Sequence, residues 1–549
     1  MKKKNNSLLF LPLGGSGEIG MNCNIYNYKK SWIMVDLGVT FGDSLMSPNE
    51  LIMPKLDFFE DNDVKLDALI LTHAHEDHIG AVPYLHDFLR NVPIFTTSFT
   101  ASVLKRKLQS NNIYDLDINL LDYNNKKKIG CFEIELLAMT HSIPEPNGII
   151  LSTKDHKVFH TGDWKLDPSP LIGSPIDEEK MKFIGNEGVD LLVCDSTNIF
   201  DDNPSGSEEE VRKSFRHIFS QKKEGKIIVT CFASNVARLE TIIKIADEFN
   251  KVCVFLGRSI HKIYDSAIEN NYLKELKNII KEKDSKAVSE DDLVLICTGS
   301  QGEPNAALSN LVNNRNNNIS LSKNDLIIFS SREIPGNEKR INILKEKVMR
   351  RGCQILDQNN SMVHVSGHPS KQELRKMYEW INPNIIIPVH GEYRHLLEHK
   401  QFAKKNGIKH QIIVQNGELF SLDSDSNYAI IDRVAHGRNM LKGKQLLSVD
   451  HQIFENLKIL NTDGELFINL ILSVEDKIIH DPVIHTSTIS LDNDSTRDLK
   501  SLITQETLTV LKNCIDDNVL KIDLEKKVRN FLKKKIGLKP STHFEIIRI

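Results

Sequence analysis

Four side chains able to bind a metal fall within six residues: His73, His75, Asp77 and His78, in Leu71-Thr72-His73-Ala74-His75-Glu76-Asp77-His78-Ile79-Gly80. One histidine at the end of a strand is usually a hydrogen-bonded structural residue. Three imidazoles and a carboxylate packed together without a cation would be costly and would serve no core. His73 and His75 alternate outward, whereas Asp77 and His78 lie past the turn, so this short segment can serve two adjacent ions. Two ions need further ligands. His141, Asp163 and His390 each stand just past an apolar run, at the carboxyl end of a strand, where open α/β sheets assemble their sites. His73, His75 and His141 could hold one ion and Asp77, His78 and His390 the other, with Asp163 bridging. Asp36, also at a strand end, could orient a ligand histidine from behind. Such a donor set suits Zn²⁺ first, with Mn²⁺ or Mg²⁺ as alternatives. Its use is hydrolysis: a zinc-bound water can ionise near pH 7 instead of about 15.7, and a pair of ions about 3.5–4 Å apart clamps a phosphoryl centre.

Short apolar runs position these residues: Leu8–Leu13, Trp32–Val35, Ala68–Leu71, Phe132–Ala138, Lys157–Phe159 and Leu191–Val193. Their length and β-branched content favour buried strands. The pattern turns helical at 208–222, and α/β alternation follows, with strands expected at Ile227–Thr230, Val252–Leu256, Leu293–Cys297 and Leu326–Phe329. Two more are expected at Met362–Val365 and Ile385–Pro388. Polar, turn-rich Ser421–Asn427 introduces a linker at 426–449, before a small α/β domain at 450–549.

At 549 residues, with 40% hydrophobic and 26% charged, the chain is a soluble multidomain protein. A net charge of −4 excludes nucleic-acid binding by bulk charge, though not by a local basic groove. No apolar run is long enough to cross a membrane, and no leader is read at the basic start, so a cytoplasmic location is expected. Eight dispersed cysteines without a C-x-x-C pair fit a reducing compartment. Gly15-Ser16-Gly17-Glu18-Ile19-Gly20 imitates a dinucleotide-binding fingerprint, but that fingerprint needs a helix next. The following residues alternate and turn at Lys29-Lys30-Ser31, which reads as a β-hairpin.

The H-x-H-x-D-H string at 73–78 resembles that of the metallo-β-lactamase superfamily. A long α/β insertion before the last ligand, with His364-Val365-Ser366-Gly367-His368 and Pro388-Val389-His390-Gly391-Glu392, is similar to the β-CASP nucleases, and among them to the ribonuclease J family. Leu11–Asn22, Thr161-Gly162-Asp163 and His390–Leu396 support it, strongest up to residue 420 and weakest in the last hundred. The resemblance implies an α/β fold: a metallo-β-lactamase αββα sandwich at 1–207 and 361–425, an inserted β-CASP domain at 208–360 and a small C-terminal domain. It further implies a two-metal ribonuclease, both 5′→3′ exonuclease and endonuclease, leaving 5′-phosphates. By the same resemblance Asp195 orients His368 as general acid, and Asp77 belongs to the catalytic set. Residues 364–368 (His364, Val365, Ser366, Gly367, His368) bind a 5′-monophosphate, while Ser234, Asn235, Ser331 and Arg332 contact the strand. Single-stranded RNA is the expected partner, with a homodimer or homotetramer and an RNA-degradation complex further implied. Two departures stand out, Glu145 where Asp is expected after His-Ser-Ile-Pro and Pro369 after His368; the first could move a contact behind the ligands.

Other readings compete. A small-molecule thioester or lactam hydrolase needs no insertion of this length. A DNA-directed β-CASP nuclease is disfavoured by His390, and a non-enzymatic scaffold would have lost ligands. Stacking aromatics for single-stranded RNA could be Phe41, Phe200 or Phe232. The basic helix at Leu524–Ile536 reads as a solvated helix packed on its own domain in preference to an RNA contact.

Overall fold

The structure is a computed structural model, and it describes residues 6–42, 50–274, 276–511 and 516–549; Cys514 lies outside them. The described residues of Met1–Phe41 and Leu51–Leu441 form one compact unit, and those of Gly42–Glu50 and Lys442–Ile549 another.

Two sheets in the first unit pack face to face. One runs in the order Tyr428–Arg433, Glu418–Leu422, Leu8–Gly14, Cys23–Tyr28, Ser31–Val35, Ala68–Ile70, Ile94–Thr96 and Ile118–Leu120. The other runs Lys127–Ile129, Phe132–Ala138, Asn147–Ser152, Lys157–His160, Leu191–Asp195, Ile385–Val389 and His410–Gln411. Phe10, Tyr26, Ile33 and Ile70 of the first meet Phe132, Ile134, Leu191 and Ile387 of the second in one core. The outer face of the second sheet is covered by Met181 and Ile184, Leu374 and Met377, and Phe402 and Ala403, from helices Glu178–Glu187, Lys371–Ile381 and Tyr393–Lys405. Burial on both faces explains why Leu191–Asp195 and Ile385–Val389 read as continuous apolar runs.

A six-stranded parallel sheet occupies the insertion, in the order Ile279–Ile280, Val252–Leu256, Leu293–Cys297, Ile227–Thr230, Leu326–Phe329 and Gln354–Leu356. The helix expected at 208–222 is Glu208–Gln221, opened by a Ser207–Glu210 capping box. The hairpin expected in place of a dinucleotide site is formed by Cys23–Tyr28 and Ser31–Val35.

Two expectations need correction. Met362–Val365 is not a strand: the Val363 carbonyl accepts from the Arg238 guanidinium at 2.7 Å and the Ser330 hydroxyl at 2.8 Å, so side chains take the place of a ladder partner. The segment expected as a linker is structured over much of its length. Tyr428–Arg433 extends the first sheet and Arg438–Lys442 pairs with Leu51–Pro54.

In the second unit Glu465–Leu472 pairs antiparallel with Ile478–His485 and parallel with Ser541–Arg548. Leu466, Ile468 and Leu470 pack on Leu499, Ile503, Leu524, Val528 and Leu532 from the two helices behind. The basic helix spans Asp517–Ile536, and Lys527 and Lys535 pair with Glu506 and Asp498 of its neighbour. Among the described residues no helix is long and apolar enough to cross a membrane.

Candidate metal centre

Strand ends deliver the site. Thr72 and His73 follow Ala68–Ile70, His141 follows Phe132–Ala138, Asp163 follows Lys157–His160, Asp195 ends Leu191–Asp195, and His390 follows Ile385–Val389. The short helix Glu76–Ile79 lifts Asp77 and His78 into the same space. Gly38 permits this approach, since a Cβ there would lie 1.7 Å from the Asp77 carbonyl oxygen.

One ligand atom from each of His73, His75, His141 and Asp163 lies within 4.8 Å of the others, and the same holds for Asp77, His78, Asp163 and His390. Asp163 therefore belongs to both sets, 3.7 Å from His73 Nε2 and 3.2 Å from His78 Nε2. His75 Nδ1 lies 3.0 Å from His73 Nε2 and 3.1 Å from His141 Nε2. His390 Nε2 is 3.0 Å from Asp77 Oδ2. Imidazole nitrogens and carboxylate oxygens in two groups of this compactness fit a pair of divalent ions.

Partners behind the donors hold the outer Nδ1 atoms of four of the imidazoles. Asp36 Oδ2 lies 2.6 Å from His78 Nδ1 and also accepts the Thr72 hydroxyl. Thr72 Oγ1 meets His73 Nδ1 at 3.0 Å, the Gly367 carbonyl meets His141 Nδ1, and Thr197 Oγ1 meets His390 Nδ1 at 2.5 Å. Sequence reading anticipated Asp36 but missed Thr72, Thr197 and the Gly367 carbonyl. A threonine beside a ligand carries no distinguishing pattern, and a backbone carbonyl carries none at all. Gly15 also takes part: its carbonyl accepts the His390 N–H at 2.6 Å, so the glycine-rich loop supports a histidine.

Burial, the largest cause, holds His73 and His141 well below the usual histidine range and His75 at about 4, leaving neutral imidazoles with lone pairs to offer. Burial also pushes His78 and His390 down, but the carboxylates, Asp163 foremost, outweigh it; His390 is raised to about 9. A divalent cation would take over the neutralising role those imidazoles play beside Asp77 and Asp163.

His368 adjoins both sets. Its Nδ1 lies 2.7 Å from Asp195 Oδ2 and 3.8 Å from Asp163 Oδ2. Asp195 Oδ1 accepts the Thr197 N–H at 2.8 Å and its hydroxyl at 2.7 Å. Asn198 Nδ2 donates to Ser366 Oγ at 2.5 Å and to the His368 carbonyl at 3.1 Å, while Arg332 donates to Asn198 Oδ1. This ties Arg332 to the 364–368 loop, in which Val365 is buried and His364 Nδ1 is buried without a partner among the described residues. Burial and then the charges of Arg238, Arg332 and Lys165 hold His364 well below its usual range.

The other sequence-derived contacts are placed differently. Asn235 caps helix Val236–Glu248, its side chain accepting from the Arg238 N–H at 2.9 Å, and Ser234 is partly buried in the preceding turn. Ser331 is buried, accepting from Gln301 Nε2 at 3.3 Å. Glu145 does not stand behind a metal donor. Its carboxylate accepts from the Phe99 N–H at 2.9 Å, at the start of helix Ser98–Gln109, and from the Tyr272 hydroxyl at 3.2 Å.

Fold and site together define a metallo-β-lactamase-type hydrolase that uses divalent metal. Residues 17–224 match the metallo-beta-lactamase superfamily, 224–348 the "Ribonuclease J, beta-CASP domain", and 354–413 the "Zn-dependent metallo-hydrolase RNA specificity domain". The chain is 37% identical to ribonuclease J of Sinorhizobium meliloti, over 87% of this chain and 85% of that protein. It is 29% identical to ribonuclease J of Thermus thermophilus over 96% and 93%, and 34% identical to ribonuclease J 1 of Streptococcus pyogenes over 77% and 76%. The chain belongs to the ribonuclease J family, hydrolytic ribonucleases on a metallo-β-lactamase fold. A crystal structure of an Enterococcus faecalis V583 protein of unknown function shares the fold, with a TM-score of 0.54 at 16% identity over 76% of this chain and 100% of that one.

Proposed function

We propose that the chain cleaves single-stranded RNA as a 5′→3′ exonuclease that prefers a 5′-monophosphate, and also cuts internally, leaving 5′-phosphates in RNA maturation and decay. The observation that carries this reading is the convergence of two donor sets on Asp163, with the His368–Asp195 pair against the same carboxylate. In this reading His73, His75 and His141 hold one ion, Asp77, His78 and His390 the other, and Asp163 both, with Zn²⁺ favoured by the imidazole-rich set. The bound pair supplies an activated water and neutralises charge on the phosphoryl group.

The chain's own residues do the rest. Asp195, fixed by Thr197, accepts a hydrogen bond from the His368 Nδ1–H and stabilises the imidazolium, so His368 Nε2–H is left to give its proton to the departing 3′-oxygen. Ser366 and the backbone amides of the 364–368 loop receive the 5′-phosphate, and His364, set among Arg238, Arg332 and Lys165, lies where an anion is favoured. Ser234 and Arg332 line the strand's path, with Asn235 and Ser331 supporting them from behind as a helix cap and as the partner of Gln301. The insertion at 208–360 serves as the β-CASP domain between core segments 1–207 and 361–425, and 450–549 as the C-terminal domain. Assembly as a homodimer or homotetramer, work in the cytoplasm and participation in an RNA-degradation complex complete the proposal.

The test is cleavage of 3′-labelled single-stranded RNA bearing a 5′-monophosphate, 5′-triphosphate or 5′-hydroxyl, with His75→Ala as control. Shortening from the 5′ end, fastest with the monophosphate and lost in the control, is expected. Internal cuts indifferent to the 5′ group would remove the phosphate role of the 364–368 loop. No cleavage with either Zn²⁺ or Mn²⁺ would overturn the reading.

A further inference from the structure

Phe200 stands five residues after Asp195 yet is 51% exposed. Two neighbouring side chains hold its ring. The His395 ring meets it edge-on, with centroids 5.0 Å apart and planes at 62°, and the Arg394 guanidinium carbon lies 5.8 Å from its centroid. Four other rings among the described residues carry a cation at comparable range, Tyr28, Phe95, Phe329 and Phe402, and every one of them is buried. Phe200 alone of the five leaves surface open beside its cation.

The ring is also fixed relative to the metal centre. Its loop is held by Asn198 on the His368 carbonyl and by the Lys371 N–H on the Asp201 carbonyl at 3.0 Å. His395 packs on the residue after His390: a Cβ on Gly391 would lie 2.7 Å from that of His395. Five residues of chain reach at most about 18 Å, so Phe200 stands within a few nucleotides of the reacting phosphate. Of the Arg394 guanidinium, Nε donates to Glu392 at 2.7 Å, and the side chain remains largely exposed, able to meet a phosphate. An exposed ring held rigid beside a cation is what a single strand uses for stacking without sequence preference, because every base has a π-face.

We infer that Phe200, buttressed by His395 and Arg394, is a stacking platform for one nucleobase of the RNA strand. The inference rests on the ribonuclease reading above. Kinetics on 5′-monophosphorylated single-stranded RNA, with an abasic residue placed at one position at a time, test it in the full-length protein. Phe200→Ala raises KM about tenfold with kcat nearly unchanged, and Phe200→Trp keeps the parental KM. In the unmodified protein an abasic residue at one position raises KM by a similar factor, and in Phe200→Ala the same abasic residue changes nothing further. Equal KM in Phe200→Ala and parent, or abasic losses identical in both at every position, would overturn the platform while leaving the ribonuclease intact. Absence of cleavage by the unmodified protein would overturn the ribonuclease reading and the platform with it.

Discussion

The Thr197 hydroxyl lies 2.5 Å from Nδ1 of His390 and 2.7 Å from Oδ1 of Asp195, joining a residue of the metal donor set to the carboxylate that holds His368. With Nε2 given to a metal, a neutral His390 would carry its proton on Nδ1 and hydrogen-bond through it to the Thr197 oxygen. The threonine hydroxyl then donates to Asp195, whose other oxygen accepts a hydrogen bond from the His368 Nδ1–H. One hydroxyl thus fixes the orientation of two imidazoles with different tasks.

Thr197→Val keeps the shape and removes that hydroxyl. The expected loss is about 10- to 100-fold in metal affinity or rate, the usual range for a group behind a ligand histidine. Thr197→Ser restores most of it. Metal titration and single-turnover cleavage measured on both variants check this, and equal defects in Val and Ser would assign the effect to packing.

Removal of Asp163 tests the shared carboxylate. Because it belongs to both donor sets, Asp163→Ala is expected to leave neither ion tightly held, whereas His75→Ala, which belongs to one set, weakens one ion chiefly. Elemental analysis after dialysis distinguishes the two. Retention of two ions per chain by Asp163→Ala would contradict the bridging role, and chelation of the parent protein should abolish cleavage reversibly.

How much of this was legible beforehand follows the physics of each residue. The H-x-H-x-D-H string and the strand-end positions of His141, Asp163 and His390 announced themselves, because ligand types at strand ends serve no core. The buried strands Ile227–Thr230 and Leu293–Cys297 were equally plain as apolar runs. Met362–Val365 reads as a similar short run, broken by His364, but Arg238 and Ser330, distant in sequence, claim its Val363 carbonyl. Asn235 reads as a polar loop residue, and only the helix behind it shows that its side chain is engaged as a cap. Glu145 sits near the candidate ligand His141 in sequence, yet it looks away to Phe99 and Tyr272.

That position of Glu145 carries a prediction about stability. Glu145→Ala leaves the Phe99 N–H without its acceptor at a helix start and the Tyr272 hydroxyl without its partner. About 1–2 kcal/mol of stability should be lost, as for an N-cap removal, with metal content unchanged. Denaturant unfolding read alongside metal analysis checks it, and a loss of metal would instead place Glu145 in the support of the centre.

Gly367 is sterically committed to His141. A Cβ there would lie 2.5 Å from the His141 Cε1 and 2.7 Å from its Nδ1. Gly367→Ala must therefore move either the imidazole or the loop. Metal affinity at the His73–His75–His141 set is expected to fall about 10- to 100-fold, with the Gly367 carbonyl no longer able to accept a hydrogen bond from the His141 Nδ1–H. A variant that binds both ions normally and loses only its preference for a 5′-monophosphate would show that the loop had yielded in place of the ligand.

The pH dependence of cleavage tests the Asp195–His368 pair. Burial pushes His368 down, but Asp195 and then Asp163 outweigh it and hold the imidazole above the usual histidine range. A general acid must be protonated to act, so activity carried by His368 is present below that raised pKa and is lost as pH rises through it. Asp195→Asn removes the largest raising influence. The alkaline limb of kcat/KM should then move to lower pH, so that the variant loses more activity on the alkaline side of neutrality than on the acid side. His368→Ala should lower the rate by on the order of 10²–10⁴-fold and flatten that limb. An alkaline limb unmoved by Asp195→Asn would show that another group delivers the proton and that the pair serves only to hold the 364–368 loop in place.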